Sequence, residues 1–109
     1  MLQEFSSSNL TDAQGLPAGG MVDGVGFSIY WQNGPLGTGA DRLEPNGAFV
    51  ETIIAAALQR IEWYQEVCGG KFRCEENSQA IICLNNTLLS LDQRTKDRQS
   101  RGVEGTHQE

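Results

Sequence analysis

Residues 49–70 read FVETIIAAALQRIEWYQEVCGG, and residues 75–101 read EENSQAIICLNNTLLSLDQRTKDRQSR. In the first stretch apolar residues return every three or four positions, at Val50, Ile53, Ile54, Ala57, Leu58, Ile61 and Tyr64. That spacing lines one face of a helix. It predicts a helix from Phe49 to Val67, about 28 Å long. Asn46 is placed to cap it, Glu51 complements the positive end of its dipole, and Gly69-Gly70 stops it. The second stretch predicts a helix from about Glu75, with Glu75 and Glu76 at its favourable end and Gly102 beyond it. Its seam is Ile81, Leu84, Leu88 and Leu91, in alternating fours and threes. A connection as short as Cys68–Cys74 forces the two helices antiparallel.

A hairpin of two helices is too thin to cover both stripes. Ile82, Leu89, Trp63 and Tyr64 are left over, and each large apolar side chain kept wet forfeits roughly 1.5–3 kcal/mol. Self-association is the simplest cover.

Upstream the texture changes: 9 of the 13 glycines lie before Ala48. Phe27, Ile29 and Trp31 alternate with Ser28, Tyr30 and Gln32, the period of a strand with one covered face. Met21-Val22 offers a short partner strand. Asn33-Gly34-Pro35 ends the strand, and Gly37, Gly39 and Pro45 keep the following connection irregular. Residues 1–20, rich in Ser, Gly, Gln and Asn, predict a loose arm. The expected fold is therefore α+β, mainly α: a long antiparallel two-helix hairpin with a small N-terminal β element, oligomerising through helices and strands. The expected organisation is an arm at 1–20 and one domain at 21–109, with a strand region at 21–47, the hairpin at 48–101 and a tail at 102–109.

At 109 residues and 39% apolar, the chain has room for one modest core. Its longest apolar run, Ile53–Leu58, is far short of the ~20 residues of a membrane span. No secretory signal is visible at the start, and an odd count of three cysteines points to a reducing compartment. The expected setting is cytoplasmic. Net charge is −6, which argues against broad attraction to DNA, RNA or anionic lipid. The basic residues cluster nevertheless. Arg94, Lys96, Arg98 and Arg101 are half of the eight, with Arg94, Arg98 and Arg101 at steps of four and three. Such a run is often only a solvated helix end, but planar forked donors on one face also suit phosphate. Trp63 and Tyr64 are candidate base-stacking surfaces, or simple packing residues.

Catalytic machinery is not legible. The single histidine, His107, stands in the predicted tail, where a solvated role outweighs that of a base. Cys68, Cys74 and Cys83 lack zinc spacing, so no metal is expected. Gly34-Pro35-Leu36-Gly37-Thr38-Gly39 is neither a Walker loop nor a dinucleotide fingerprint. No cofactor is expected, and the chain reads as a binder.

From Gly26 onward the chain closely resembles a family of small bacteriophage proteins, the Thoeris anti-defence sponges with a helical-hairpin domain. The resemblance rests on the words Trp31–Gly37, Glu44–Glu51, Lys71–Cys74 with Glu76-Asn77, and Arg94-Thr95 through Arg101–His107. It implies a non-enzymatic protein in the cytoplasm of the infected bacterium. Such a protein sequesters cyclic ADP-ribose isomers made by TIR-domain enzymes, as dimers assembling into hexamers with pockets shared between protomers. On the matching positions it implies Asn77, Arg94 and Arg98 as ligand contacts, with Trp63 or Tyr64 as the pocket aromatic; Arg101 joins them through the arginine face. Some relatives also bind cyclic di- or trinucleotides at a second site. Here Thr38 and Glu75 stand where many of those relatives carry arginine, which puts that site in question. A helical adaptor that inhibits a host protein by direct contact is the competing reading.

Overall fold

The computed structural model describes residues 1–109. Three strands come first, β1 (Phe5–Thr11), β2 (Pro17–Gly24) and β3 (Phe27–Trp31), followed by a 3-10 turn at Gly39–Asp41 and two helices, α1 (Val50–Gly70) and α2 (Glu75–Ser100). The fold is α+β, mainly α, as the periodicities imply. The chain divides into two compact units, residues 1–49 with 99–109, and residues 50–98.

In the first unit the strands form an antiparallel sheet in the order β1-β2-β3. Val22 pairs with Ile29 and Met21 with Tyr30, which makes Met21-Val22 part of a real strand. In β3 Phe27, Ile29 and Trp31 are half-buried while Ser28 and Tyr30 are exposed, the predicted alternation. The loose arm is corrected. Residues 5–11 form β1, whose Phe5 pairs with Gly24 and Ser8 with Met21. Asp12 builds the turn between the strands, its Oδ1 accepting from the backbone N–H of Gln14 and Leu16. The sequence hid this strand because every residue of β1 is exposed. Backbone bonds hold it, with no apolar face to leave a period of two. Gly20 lets it come close: at φ +146°, a Cβ there would stand 2.1 Å from the Ser8 carbonyl oxygen.

In the second unit the helices run antiparallel, pinned at both ends. Near the connection, Gln65 Nε2 donates to Ser78 Oγ at 3.0 Å. At the other end, Arg94 lies 3.7 Å from Glu51. Regular α1 geometry stops at Val67, and Cys68 and Gly69 adopt left-handed backbone, the stop that Gly69-Gly70 predicted. On α2 the predicted seam of Ile81, Leu84, Leu88 and Leu91 is half-buried, and Asn77, Thr95 and Arg98 extend it at its two ends. The α1 stripe is narrower than its periodicity suggested. Leu58 is buried, but Val50, Ala57 and Tyr64 are exposed, and Gln65 occupies the buried place two turns on. Asn46 does not cap α1, which begins four residues later.

The buried apolar core amounts to Leu58 and Val103. Two compact units of these sizes would expose roughly 7,200 Å² even when wholly apart, whereas the chain exposes 8202 Å². Ile82 and Leu89, the leftover residues of α2, are 52% and 67% exposed.

Candidate functional site

The expected ligand residues separate into two groups along the hairpin. Near the connection, Trp63 and Tyr64 meet edge to face with ring centroids 5.3 Å apart. Arg60 lies over both, its guanidinium carbon 4.3 Å from the Trp63 centroid and 5.0 Å from that of Tyr64. At 100° per residue these three project from the side of α1 opposite Leu58 and Gln65, and all three are exposed. Asn77 stands at the same end on α2, but on the half-buried seam facing α1. The aromatic pair and Asn77 therefore do not share a face within one chain.

Arg94 and Arg98 occupy the far end. Arg94 is 62% exposed and paired only with Glu51; exposed pairs of this kind contribute about 0–1 kcal/mol. Arg98 is half-buried one turn later. Lys96 pairs with Asp92 at 2.8 Å, and this bond raises its pKa above the ordinary lysine value. Arg101 stands just beyond α2, in the other unit, and donates to the Glu109 carbonyl oxygen. The three arginines thus do not lie on one helix face: two do, and the third belongs to the turn that follows. Since Glu51 is level with Arg94, Trp63 is about 18 Å from Arg94 along the hairpin axis, at 1.5 Å per residue. A small-molecule pocket of ~300–1,000 Å³ is roughly 7–10 Å across. The two groups thus stand at separate levels of one hairpin.

Three cavities of the chain lie away from both groups. A shallow one of about 370 Å³ in the hairpin is lined by Glu62, Gln65, Glu66, Arg73, Ser78, Ile81 and Ile82; two carboxylates against one arginine make it a poor host for phosphate. Gln65, buried within it, is fully engaged. Its Oε1 accepts the Cys74 N–H, and its Nε2 donates to the Cys74 carbonyl and to Ser78. A cavity of about 220 Å³ in the β-containing unit is bordered by Gln32, Leu36, Thr106 and His107, and a third, of about 370 Å³, by Tyr30, Trp31, Asn33 and Asn46.

In the β-containing unit the residue words that carried the resemblance interlock. Asn46 Oδ1 accepts from the Asn33 N–H at 2.8 Å, Asn46 Nδ2 donates to the Asn33 carbonyl at 3.0 Å, and the Asn46 N–H donates to Gln32 Oε1 at 2.9 Å. A Cβ on Gly47 would stand 2.6 Å from the Trp31 carbonyl. The C-terminal residues are docked: Gly37 N–H donates to the Gly105 carbonyl, and Arg42 grips Glu104 through two hydrogen bonds of 2.7 and 2.9 Å. That grip raises the Arg42 pKa above its ordinary value. His107 is exposed and borders the 220 Å³ cavity. Thr38 precedes the 3-10 turn in this unit, while Glu75 opens α2 and accepts from Gln79.

Cys68, Cys74 and Cys83 are all unpaired and exposed. No group of three or more His, Cys, Asp or Glu side chains comes together as a metal site, and no helix is long and apolar enough to cross a membrane.

No family model matches the chain. Over 63 residues, 58% of its length, it is 41% identical to the curated protein Thoeris anti-defense 1 of Bacillus phage SBSphiJ7. Over those residues the chain is similar to a phage Thoeris anti-defence protein. The match spans 42% of that relative's own length.

Sequence reasoning missed four residues. Arg60 carried a readable signal, an arginine three and four positions before two aromatics on a helix. Gln65 carried none, because a polar residue at a seam position reads as an interruption. Arg42 and Glu104 lie 62 positions apart, and no local pattern joins them.

Proposed function

We propose that this chain opposes Thoeris defence by binding and sequestering a cyclic ADP-ribose isomer, without chemical conversion, in a pocket shared between two copies. The observation that carries this reading is the separation of the aromatic pair from Arg94 and Arg98 by about 18 Å along one hairpin. If two hairpins pack antiparallel, the aromatic end of one lies beside the arginine end of the other. The stacking surface and the phosphate donors of a nucleotide site are then brought together twice, in symmetric pockets. Support for assembly comes from the exposed Ile82 and Leu89 and the large exposed surface. Support for the Thoeris context comes from the relative's name. Dimers, and hexamers built from them, are the proposed assembly, and the cytoplasm of the infected bacterium the proposed setting.

The test is retention. Purified protein incubated with the product of a TIR-domain enzyme should hold a cyclic ADP-ribose isomer through desalting and release it intact on denaturation. Ligand at 100 times its dissociation constant should add about 2.7 kcal/mol of stability. Release of a hydrolysed product would indicate an enzyme. Cyclic di- and trinucleotides should bind weakly, because Glu75 would set a carboxylate against phosphate and Thr38 supplies no charge. The exposed Ile82 and Leu89 also favour a second reading, a hairpin adaptor that inhibits a host protein; it predicts no retention of nucleotide by the purified chain.

A further inference from the structure

We infer that Arg60 is a phosphate-contacting residue of the same nucleotide site, an inference that rests on the proposed ligand class. Seven of the eight basic side chains lie outside the aromatic cluster; Arg60 alone stacks on Trp63 and Tyr64. Its guanidinium sits against these rings and not in an ion pair, in contrast to Arg42, Arg94 and Lys96, each of which faces a carboxylate. A guanidinium lying on a ring keeps its N–H donors at its rim, pointing outward in its own plane. The two rings hold that fork in place, so little rotamer freedom remains to be lost when an anion arrives. The neighbouring rings supply flat surface for a base. A pyrophosphate joined to a purine needs both, side by side. The cluster is exposed on the back of α1, clear of the seam to α2, so a ligand reaches it without opening the hairpin. Arg60 thus serves the aromatic end of the pocket as Arg94 serves the arginine end.

The test measures cyclic ADP-ribose binding by Trp63 fluorescence in a Trp31→Phe background, where Trp63 is the one remaining tryptophan, with light scattering alongside. Arg60→Ala should weaken binding by about tenfold or more, and Arg60→Lys should recover little of it, because an ammonium keeps the charge but not the planar fork. Both variants should keep the helical circular dichroism and the molar mass of the parent. Binding by Arg60→Ala within about twofold of the parent would overturn the inference while leaving the proposed function standing. A fall in molar mass accompanying the loss would assign Arg60 to a contact between copies and overturn it too. Failure of the parent to bind any cyclic ADP-ribose isomer would overturn the proposed function, and this inference with it.

Discussion

In the unit of residues 1–49 and 99–109, backbone groups and short polar side chains make the close approaches, as where Asn46 clasps Asn33 and Gly105 lies on Gly37. In the hairpin of residues 50–98, leucines and isoleucines form a half-buried seam, and three of the side chains expected to bind, Trp63, Tyr64 and Arg94, stand exposed outside it. The two units therefore use their most distinctive residues differently. The unusual words Trp31–Gly37, Glu44–Glu51 and Arg101–His107 are largely explained by structure, since they fill a network of interlocking bonds and glycine contacts. On the helices the duties are divided: Cys74 and Asn77 serve the hairpin, while Arg94 makes one exposed ion pair and remains available for a ligand.

The comparison breaks first at Gly105. At φ +79°, with a Cβ only 2.4 Å from the Gly37 carbonyl oxygen, Gly105→Ala should cost about 3 kcal/mol or more. Chemical denaturation followed by Trp31 fluorescence in a Trp63→Phe background measures it; an unshifted midpoint would mean that the docking of the C-terminal residues contributes nothing. In the hairpin the corresponding lock is Gln65. Gln65→Leu keeps the volume but removes the partner of the part-buried Cys74 N–H and carbonyl, so a loss of about 1–2 kcal/mol is expected, read from the helical circular dichroism on thermal melting.

Arg94→Ala reverses the pattern. Its stability cost should stay under ~1 kcal/mol, while ligand retention falls by about tenfold or more, equivalent to ~1.4 kcal/mol. Lys96→Ala, which breaks only the exposed pair with Asp92, should leave retention unchanged; equal loss in both would mean diffuse attraction and not a contact. The smallest effect is a gain. Cys68 holds φ +54° at the end of α1, a conformation that L side chains pay for, so Cys68→Gly should raise stability by about 0.5–1 kcal/mol. A lowered melting temperature would show instead that its side chain matters to the connection.

What the sequence disclosed follows the same division. The seam of α2, the stop at Gly69-Gly70 and the alternation of β3 were legible, because burial of one face leaves a period. β1 was not, since a strand exposed throughout has no face to mark. Tyr64 was misplaced onto the α1 seam because a three- and four-residue stripe can run through 57, 61 and 64 as easily as through 58, 61 and 65, and only packing chose Gln65. Among the site residues, Trp63 and Tyr64 were nameable as exposed aromatics. Their distance from Arg94 needed the hairpin itself, fixed by the Gln65–Ser78 and Glu51–Arg94 pins.

That distance yields the most direct test, complementation between two defective chains. One carries Trp63→Ala and Tyr64→Ala, the other Arg94→Ala and Arg98→Ala, and each alone should retain no cyclic ADP-ribose. Co-refolded at equal concentration, they form mixed pairs in which the intact arginines of one face the intact aromatics of the other. A shared pocket predicts recovery of up to about a quarter of the parent's sites on random pairing. No recovery, in a mixture shown by mass spectrometry to contain mixed assemblies, would contradict the shared pocket.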